Sequence, residues 1–132
     1  MAAGRYSFVI EQGATLDFEI AYTDSSGNPV DLTNHTGRMQ IKNTQGADTA
    51  YITLSSSLAT DGTGLNFSGS NSINPPASGT IGIFISANSS SALNFNEAYY
   101  DLEIVSGSTY PVVTRVLEGK VKLSKEVTTG NY

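Results

Sequence analysis

The segment Leu16-Asp-Phe-Glu-Ile-Ala-Tyr22 alternates apolar and polar side chains with a period of two. Successive side chains of an extended strand point to opposite faces of a sheet. The aromatic and aliphatic residues of this segment therefore share one face, and Asp17 and Glu19 share the other. This pattern predicts a β-strand with one face in a core and one face in solvent.

Other parts of the chain have the same character and are separated by residues typical of turns, such as the stretch 24–29 with its Asp, Ser, Gly, Asn and Pro. We predict further strands at residues 6–10, 38–42, 51–54, 65–67, 81–85, 99–105 and 112–123. Residues 89–93 fit one helical turn and no more. Many short strands without a sustained helical period favour a sandwich or a small barrel.

Residues 95–105 look like the penultimate strand of an immunoglobulin-type fold that is entered through a tyrosine corner. Tyr99 or Tyr100 would be the corner residue, and the alternation favours Tyr100, which is in step with Leu102 and Ile104. The alternative is that both tyrosines simply pack on a sheet. We predict an all-β, immunoglobulin-like antiparallel β-sandwich of about seven to eight strands.

The length of 132 residues suits one domain. We predict a flexible N-terminal arm at residues 1–5, the β-sandwich at 6–124 and a C-terminal tail at 125–132. The segment Met1 to Arg5 has no apolar stretch typical of a secretory signal, and the chain has no run of 18 apolar residues. We therefore expect a soluble protein made in the cytoplasm, with no membrane partner.

The charge balance argues against polyanionic partners. Seven Lys and Arg residues stand against twelve Asp and Glu residues, which gives a net charge of −5. Proteins that bind phosphate backbones concentrate positive charge, so we expect no nucleic-acid partner. With no cysteine in the chain, neither a disulfide nor a thiolate metal site can form.

Residues with catalytic potential are sparse. The single histidine, His35, lies between a turn and a strand, and no serine stands in a Gly-x-Ser-x-Gly motif. We interpret His35 as a solvated loop residue. Acidic pairs two positions apart, such as Asp101 and Glu103, are typical of a solvated strand face. Gly62 and Gly64 do not precede a predicted helix, which argues against a phosphate-binding loop. We predict that the protein is not an enzyme and has no catalytic or cofactor-binding residues.

Residues 24–28 begin like an oxygen-rich calcium loop. The pattern fails further along, because Pro29 stands where that loop needs glycine and His35 where it needs glutamate. A turn held by hydrogen bonds to the Asp24 side chain explains the same residues. We therefore predict no metal site and no cofactor.

Aromatic residues divide into two groups. We predict that the five phenylalanines belong to the core, because they fall in or beside apolar strands; they are Phe8, Phe18, Phe67, Phe84 and Phe95. Tyr110, near a turn, and Tyr132, at the chain end, are predicted to be exposed. Exposed tyrosines suit protein interfaces and sugar platforms alike, and the sequence leaves that choice open.

The chain as a whole resembles small immunoglobulin-like virion structural proteins of tailed bacteriophages. The segments that carry the resemblance are Phe8-Val-Ile-Glu-Gln-Gly-Ala-Thr15, Gly27-Asn-Pro-Val-Asp-Leu-Thr33, Gly37-Arg-Met-Gln-Ile-Lys42, Ile83-Phe-Ile-Ser-Ala87, Tyr100-Asp-Leu-Glu-Ile104 and Val113-Thr-Arg-Val-Leu-Glu-Gly-Lys-Val121. The polar insert at 69–79 departs from the pattern and leaves the local strand pairing open. The signature consists of strands and turns, and similar folds occur in unrelated adhesive modules.

The resemblance implies a structural component of the virion, docked on tail, baseplate, neck or capsid proteins. We expect it to associate with itself or to be present in many copies in each particle. Edge strands, loops or the two arms would contact neighbouring subunits. We expect a tail, baseplate or neck location. The alternatives are a capsid decoration protein that clamps neighbouring capsid subunits, and a glycan-binding module that attaches to a host surface.

Overall fold

A six-stranded sheet forms one layer of the molecule, which is described by a computed structural model over residues 4–69, 73 and 75–127. Its strands are β1 (Gly4–Arg5), β2 (Phe8–Glu11), β4 (His35–Lys42), β5 (Ala50–Ser55), β8 (Glu97–Ser106) and β9 (Val113–Ser124). The order across the sheet is β1-β9-β8-β4-β5, and β2 continues the line of β1 along β9. The pairs β9-β8, β8-β4 and β4-β5 are antiparallel, whereas β1 and β2 run parallel to β9.

A three-stranded antiparallel sheet forms the second layer. It contains β3 (Leu16–Ala21), β6 (Gly64–Asn66) and β7 (Thr80–Ile85), in the order β3-β7-β6. A 3₁₀ turn (Pro76–Ser78) precedes β7, and a short helix, α1 (Ala87–Ser91), follows it. At five and three residues, neither helical element of the described chain is long enough to cross a membrane.

The strand order and the two packed sheets give the immunoglobulin-like sandwich that the sequence predicted. The parallel pairing of the N-terminal strand with the last strand is part of this arrangement. The described residues contain nine strands rather than seven to eight, because the first one is interrupted at residues 6–7 and counts as both β1 and β2. The predicted helical turn is present as α1, shifted two residues towards the N-terminus.

The core lies between the facing sides of the two sheets. Alternate residues of β4 and β8 are buried while their neighbours are exposed or half-buried, as the period-two pattern requires. In β7 the isoleucines are buried, and Gly82 between two of them is buried as well. The fully buried side chains are mostly aliphatic; the largest are Ile10, Leu32, Met39, Ile41, Leu54, Leu65, Ile81, Ile83, Ile85, Leu102 and Val121. Each such side chain stabilises the fold by about 1.5–3 kcal/mol relative to an exposed one.

The N-terminal arm predicted for residues 1–5 needs a correction at its inner end. Gly4 and Arg5 pair with Leu117 and Glu118 of β9 and so belong to the sheet. Both residues are exposed, so their contribution is main-chain pairing, which leaves no hydrophobic pattern in the sequence. Residues 1–3 lie outside the described part of the chain.

Tyr100 points into the core, as the alternation along its strand predicted, and is 4% exposed. The predicted tyrosine corner is wrong in its partner: the hydroxyl donates to the carbonyl oxygen of Tyr6 rather than to main chain a few residues upstream. Phe8 packs edge-on against the Tyr100 ring, with centroids 5.0 Å apart. The tyrosine therefore joins the N-terminal strand to the centre of the sheet.

The phenylalanines are not equally buried. Phe95 belongs to the core at 6% exposure, and Phe8, Phe18 and Phe67 are half-buried against it. Phe84 contradicts the prediction, because it lies on the outer face of β7 between inward-pointing isoleucines. Alternation along a strand places it there.

The predicted domain end at residue 124 coincides with the end of β9. The main-chain N–H of Glu126 donates to the side-chain oxygen of Gln12, 3.1 Å away, so the start of the predicted tail contacts the β2-β3 turn. Residues 128–132, including Tyr132, lie outside the described chain. The same holds for residues 70–72 and 74 of the polar insert.

Candidate interaction surfaces

The loop between β8 and β9, residues 107–112, presents the most exposed aromatic side chain of the described chain. Tyr110 is 86% exposed, as predicted, and Val112 and Val113 beside it are 62% and 48% exposed. An exposed patch of this composition at a loop tip is typical of protein interaction sites. We refer to residues 107–113 as the β8-β9 tip.

Hydrogen bonds fix the conformation of the β8-β9 tip. The Ser106 N–H donates to the Val112 carbonyl at 3.0 Å, and the Val112 N–H donates to the Ser106 hydroxyl at 2.8 Å. The Ser108 hydroxyl donates to the Tyr110 carbonyl at 2.9 Å. A loop ordered before binding loses less conformational entropy when it docks. The tip thus presents Tyr110 on a preorganised support.

The loop between β3 and β4 supports the tip from the side. A Cβ atom at Gly107 would lie only 2.2 Å from the Asn34 carbonyl oxygen, so the two loops approach within main-chain contact.

The β3-β4 loop contains the turn that was compared with a calcium loop. The Asp24 carboxylate accepts from the N–H groups of Ser26 and Asn28 at 2.9 and 3.0 Å. This confirms the predicted side-chain-capped turn. Leu32, in the same loop, donates to the carbonyl of Pro76 at 3.0 Å.

The outer face of the six-stranded sheet carries charges of both signs in adjacent strands. Glu103 of β8 accepts from Arg38 of β4 at 2.8 Å. Arg115 of β9 lies 3.5 Å from Asp101 and 3.3 Å from Glu118. These pairs are largely exposed, and pairs of this kind contribute about 0–1 kcal/mol each. They set the charge pattern of the face more than its stability.

A cleft of about 440 Å³ crosses this face between β4, β8 and β9. Its lining is polar and includes Gln40, Lys42, Tyr99 and Asp101. Partial burial, and secondly the neighbouring Glu103, raise the pKa of Asp101 above its ordinary value of 3.8. The predicted acidic pair, Asp101 and Glu103, is thus on the solvated side of β8, with each carboxylate near an arginine.

Asp61 organises a network of hydroxyl groups that the sequence reasoning missed. Its carboxylate accepts from the hydroxyls of Ser86 and Ser89, at 2.5 and 2.9 Å, and from the N–H of Thr63 at 3.0 Å. These hydrogen bonds, that from Ser86 above all, lower the pKa of Asp61 well below its ordinary range. Ser86 also caps α1. The network ties the turn before β6 to the end of β7.

The histidine and the acidic residues form no metal-binding group. His35 is the first residue of β4, half-buried, with its Nδ1 atom 2.9 Å from the Thr33 carbonyl oxygen. Asp31 accepts from the Thr33 hydroxyl and N–H, which lower the pKa of that carboxyl. In the part of the chain that the structure describes, no three His, Cys, Asp or Glu residues are placed to share a metal ion.

The candidate residues that the sequence offers, none of which is predicted to form a catalytic, cofactor or metal site, are thus dispersed over the molecule. His35 and Tyr110 lie near the end formed by the β3-β4 and β8-β9 loops, whereas Gly62 and Gly64 lie beside the Asp61 network. Within the described residues every buried side-chain nitrogen or oxygen has a hydrogen-bond partner. The features that a partner can reach include the β8-β9 tip and the outer faces of the sheets. Comparison with protein-family models and with curated proteins found no match.

Proposed function

We propose that this protein is a non-catalytic structural component of a tailed-phage virion, an immunoglobulin-like module that docks on neighbouring virion proteins. The location we propose is the tail, baseplate or neck, with several copies in each particle. The resemblance of the chain to small phage virion proteins supports the phage context. The observation that carries the docking role is the preorganised β8-β9 tip with Tyr110 at 86% exposure.

The tip has the physical character of an interface anchor. Tyrosine contributes a large, stiff contact surface with a polar end, and it is enriched among the residues that dominate binding energy. The adjacent Val112 adds apolar area that is 62% exposed. The hydrogen bonds of Ser106 and Ser108 hold the main chain of Val112 and Tyr110 in place before any partner arrives.

Incorporation into particles tests the proposal. We expect Tyr110→Ala combined with Val112→Ser to lower the amount of the protein in purified particles, with the thermal unfolding of the free protein unchanged. Val127→Ser is the matched control, because Val127 is 97% exposed but lies far along the chain from the tip. Equal incorporation of the tip variant and the wild type would contradict the role of the tip.

Electron microscopy of particles carrying a labelled copy of the chain tests the location. Label confined to the tail, baseplate or neck is the expected result. Label over the whole head would instead support capsid decoration. If a host expresses the labelled chain but its purified particles carry no label, the virion role itself is contradicted.

Exposure of the Tyr110 ring also favours the second candidate, a glycan-binding module, because sugars stack on exposed aromatic faces. That function predicts binding on a glycan array that Tyr110→Ala abolishes. An array without binding to the wild-type chain would reject it and leave the docking proposal standing.

A further inference from the structure

The strands of the three-stranded sheet carry no positive charge. Six of the seven Lys and Arg residues belong to strands of the six-stranded sheet, and the seventh follows β9; they are Arg5, Arg38, Lys42, Arg115, Lys120, Lys122 and Lys125. The three-stranded sheet carries Asp17 and Glu19 on β3, and no cation occurs in any of its strands. The charges carried by the strands of this sheet are therefore all negative.

A small pocket of about 210 Å³ opens on the outer side of this acidic sheet. Phe84 of β7 lines it, directly opposite Asp17 of β3 in the strand register. Gly62 lies so close that a Cβ atom there would be 3.4 Å from the Phe84 ring, and Leu58, 48% exposed, adds a second apolar wall. The pocket therefore exposes part of an aromatic ring that a larger residue at position 62 would cover.

Two carboxylates stand at the rim of this pocket. The side-chain carboxylate of Asp17 has no hydrogen bond or ion pair with any residue that the structure describes. Asp61 is held by the hydroxyls of Ser86 and Ser89, which keep its carboxylate in place and charged. An aromatic ring with carboxylates beside it matches a planar cation, because a guanidinium stacks on the ring and donates to carboxylates at its edge.

We propose that this pocket binds an arginine side chain presented by a partner protein, with Phe84 as the stacking surface and Asp17 and Asp61 as the anions. The absence of cations from the strands of this sheet favours a basic partner by charge complementarity. A second copy of this chain could offer only Arg5, because its other two arginines, Arg38 and Arg115, are already in ion pairs within the described residues. The inference is independent of the virion role.

Nuclear magnetic resonance titration of the full chain tests the pocket. The probe is N-acetyl-arginine methylamide, which carries one guanidinium and no other charge. We expect shifts confined to amides around residues 17, 62, 82 and 84. N-acetyl-citrulline methylamide has the same shape without the charge and should leave these resonances in place. Equal shifts with both compounds, or no localised shifts with the arginine compound, would overturn the proposal.

Variants distinguish binding of the probe in the pocket from its attraction to the net negative charge of the protein. Asp17→Asn should weaken probe binding by about fivefold, the loss of one partly exposed ion pair. Asp48→Asn is the matched control, with the same change in net charge at an exposed loop position; an equal weakening there would show a diffuse field effect and contradict the pocket. Phe84→Leu should also weaken binding, and a dispersed spectrum checks that this variant is folded.

The occupant is tested without the probe. Concentration-dependent shifts of the same amides, abolished by Asp17→Asn, would identify a second copy of the chain and overturn the assignment to a foreign partner. Because these measurements use the isolated protein, their failure would leave the particle-incorporation test of the proposed function unaffected.

Discussion

The hydroxyl of Tyr100 donates a hydrogen bond of 2.5 Å to the main-chain carbonyl oxygen of Tyr6, 94 residues earlier in the chain. Between the two pairing segments β1 and β2, the N–H of Tyr6 donates to the Glu118 carbonyl at 3.0 Å. Tyr6 is thus held on both of its main-chain polar groups at the point where the first strand is interrupted. Burial raises the pKa of the Tyr100 hydroxyl, so it stays a donor at ordinary pH.

Replacing Tyr100 by Phe removes this bond and leaves the ring in place. We expect a loss of about 1 kcal/mol in the free energy of unfolding, the typical net value of one hydrogen bond, measured by urea denaturation. Tyr99→Phe is the control, because Tyr99 lies on the outer face and its hydroxyl has no hydrogen bond within the described residues. Equal losses in the two variants would contradict the link to Tyr6.

The carbonyl of Tyr6 also determines which residue can stand at position 119. A Cβ atom at Gly119 would lie 2.1 Å from the Tyr6 carbonyl oxygen. We expect Gly119→Ala to push the N-terminal strand away, with a loss of about 1–3 kcal/mol. Relative to the wild type, the variant should show a larger increase in the rate of amide hydrogen exchange in β2 than in β4. Gly46→Ala is the control, since nothing lies within 4 Å of a Cβ atom there.

How far the fold could be predicted depended on whether side chains or main chain carried the information. The alternation at residues 16–22 and around Met39 and Ile41 predicted β3 and β4 and their buried faces. β1 left no such trace, because Gly4 and Arg5 contribute main-chain pairing and exposed side chains. The core prediction for Phe84 is wrong because an apolar side chain does not by itself place a residue in the core. Phe84 stands between the inward-pointing Ile83 and Ile85, so strand alternation directs it outward.

The candidate surfaces were less predictable than the fold. Tyr110 was identified from its position near a turn. The hydroxyl network of Asp61 was not, because Ser86 and Ser89 are 25 and 28 residues away and meet it only once β6 and β7 pair. The pocket at Phe84 depends in the same way on the register of β3 against β7.

Core packing predicts the largest single effects on stability. Met39 is fully buried between the sheets, and we expect Met39→Ala to cost about 2–5 kcal/mol in the free energy of unfolding. Gln40→Ala, one position along and exposed, should change it by less than about 0.5 kcal/mol. A small effect at Met39 with a large one at Gln40 would show that the inner and outer faces of β4 are reversed.

The lowered pKa of Asp61 predicts that part of the stability of the fold is lost in acid. Its folded-state pKa lies below the ordinary value of 3.8, so protonation favours the unfolded chain. Stability from this carboxylate is fully present above about pH 4 and is lost as the pH falls towards the folded-state pKa. Wild type should therefore be more stable than Asp61→Asn at pH 7, with the difference shrinking below pH 4. Asp48→Asn, which removes the same charge at an exposed position, is the control at pH 7.

The support of the β8-β9 tip can be tested apart from its contact residues. Ser106→Ala removes the acceptor of the Val112 N–H but keeps the main-chain bond from Ser106 to Val112. We expect hydrogen exchange at Val112 to quicken by about fivefold, the equivalent of one lost hydrogen bond. Thermal stability should change little, because the loop is exposed. If docking depends on preorganisation, this variant should also lower incorporation into particles while Tyr110 is intact; loosened exchange with unchanged incorporation would separate the order of the loop from its function.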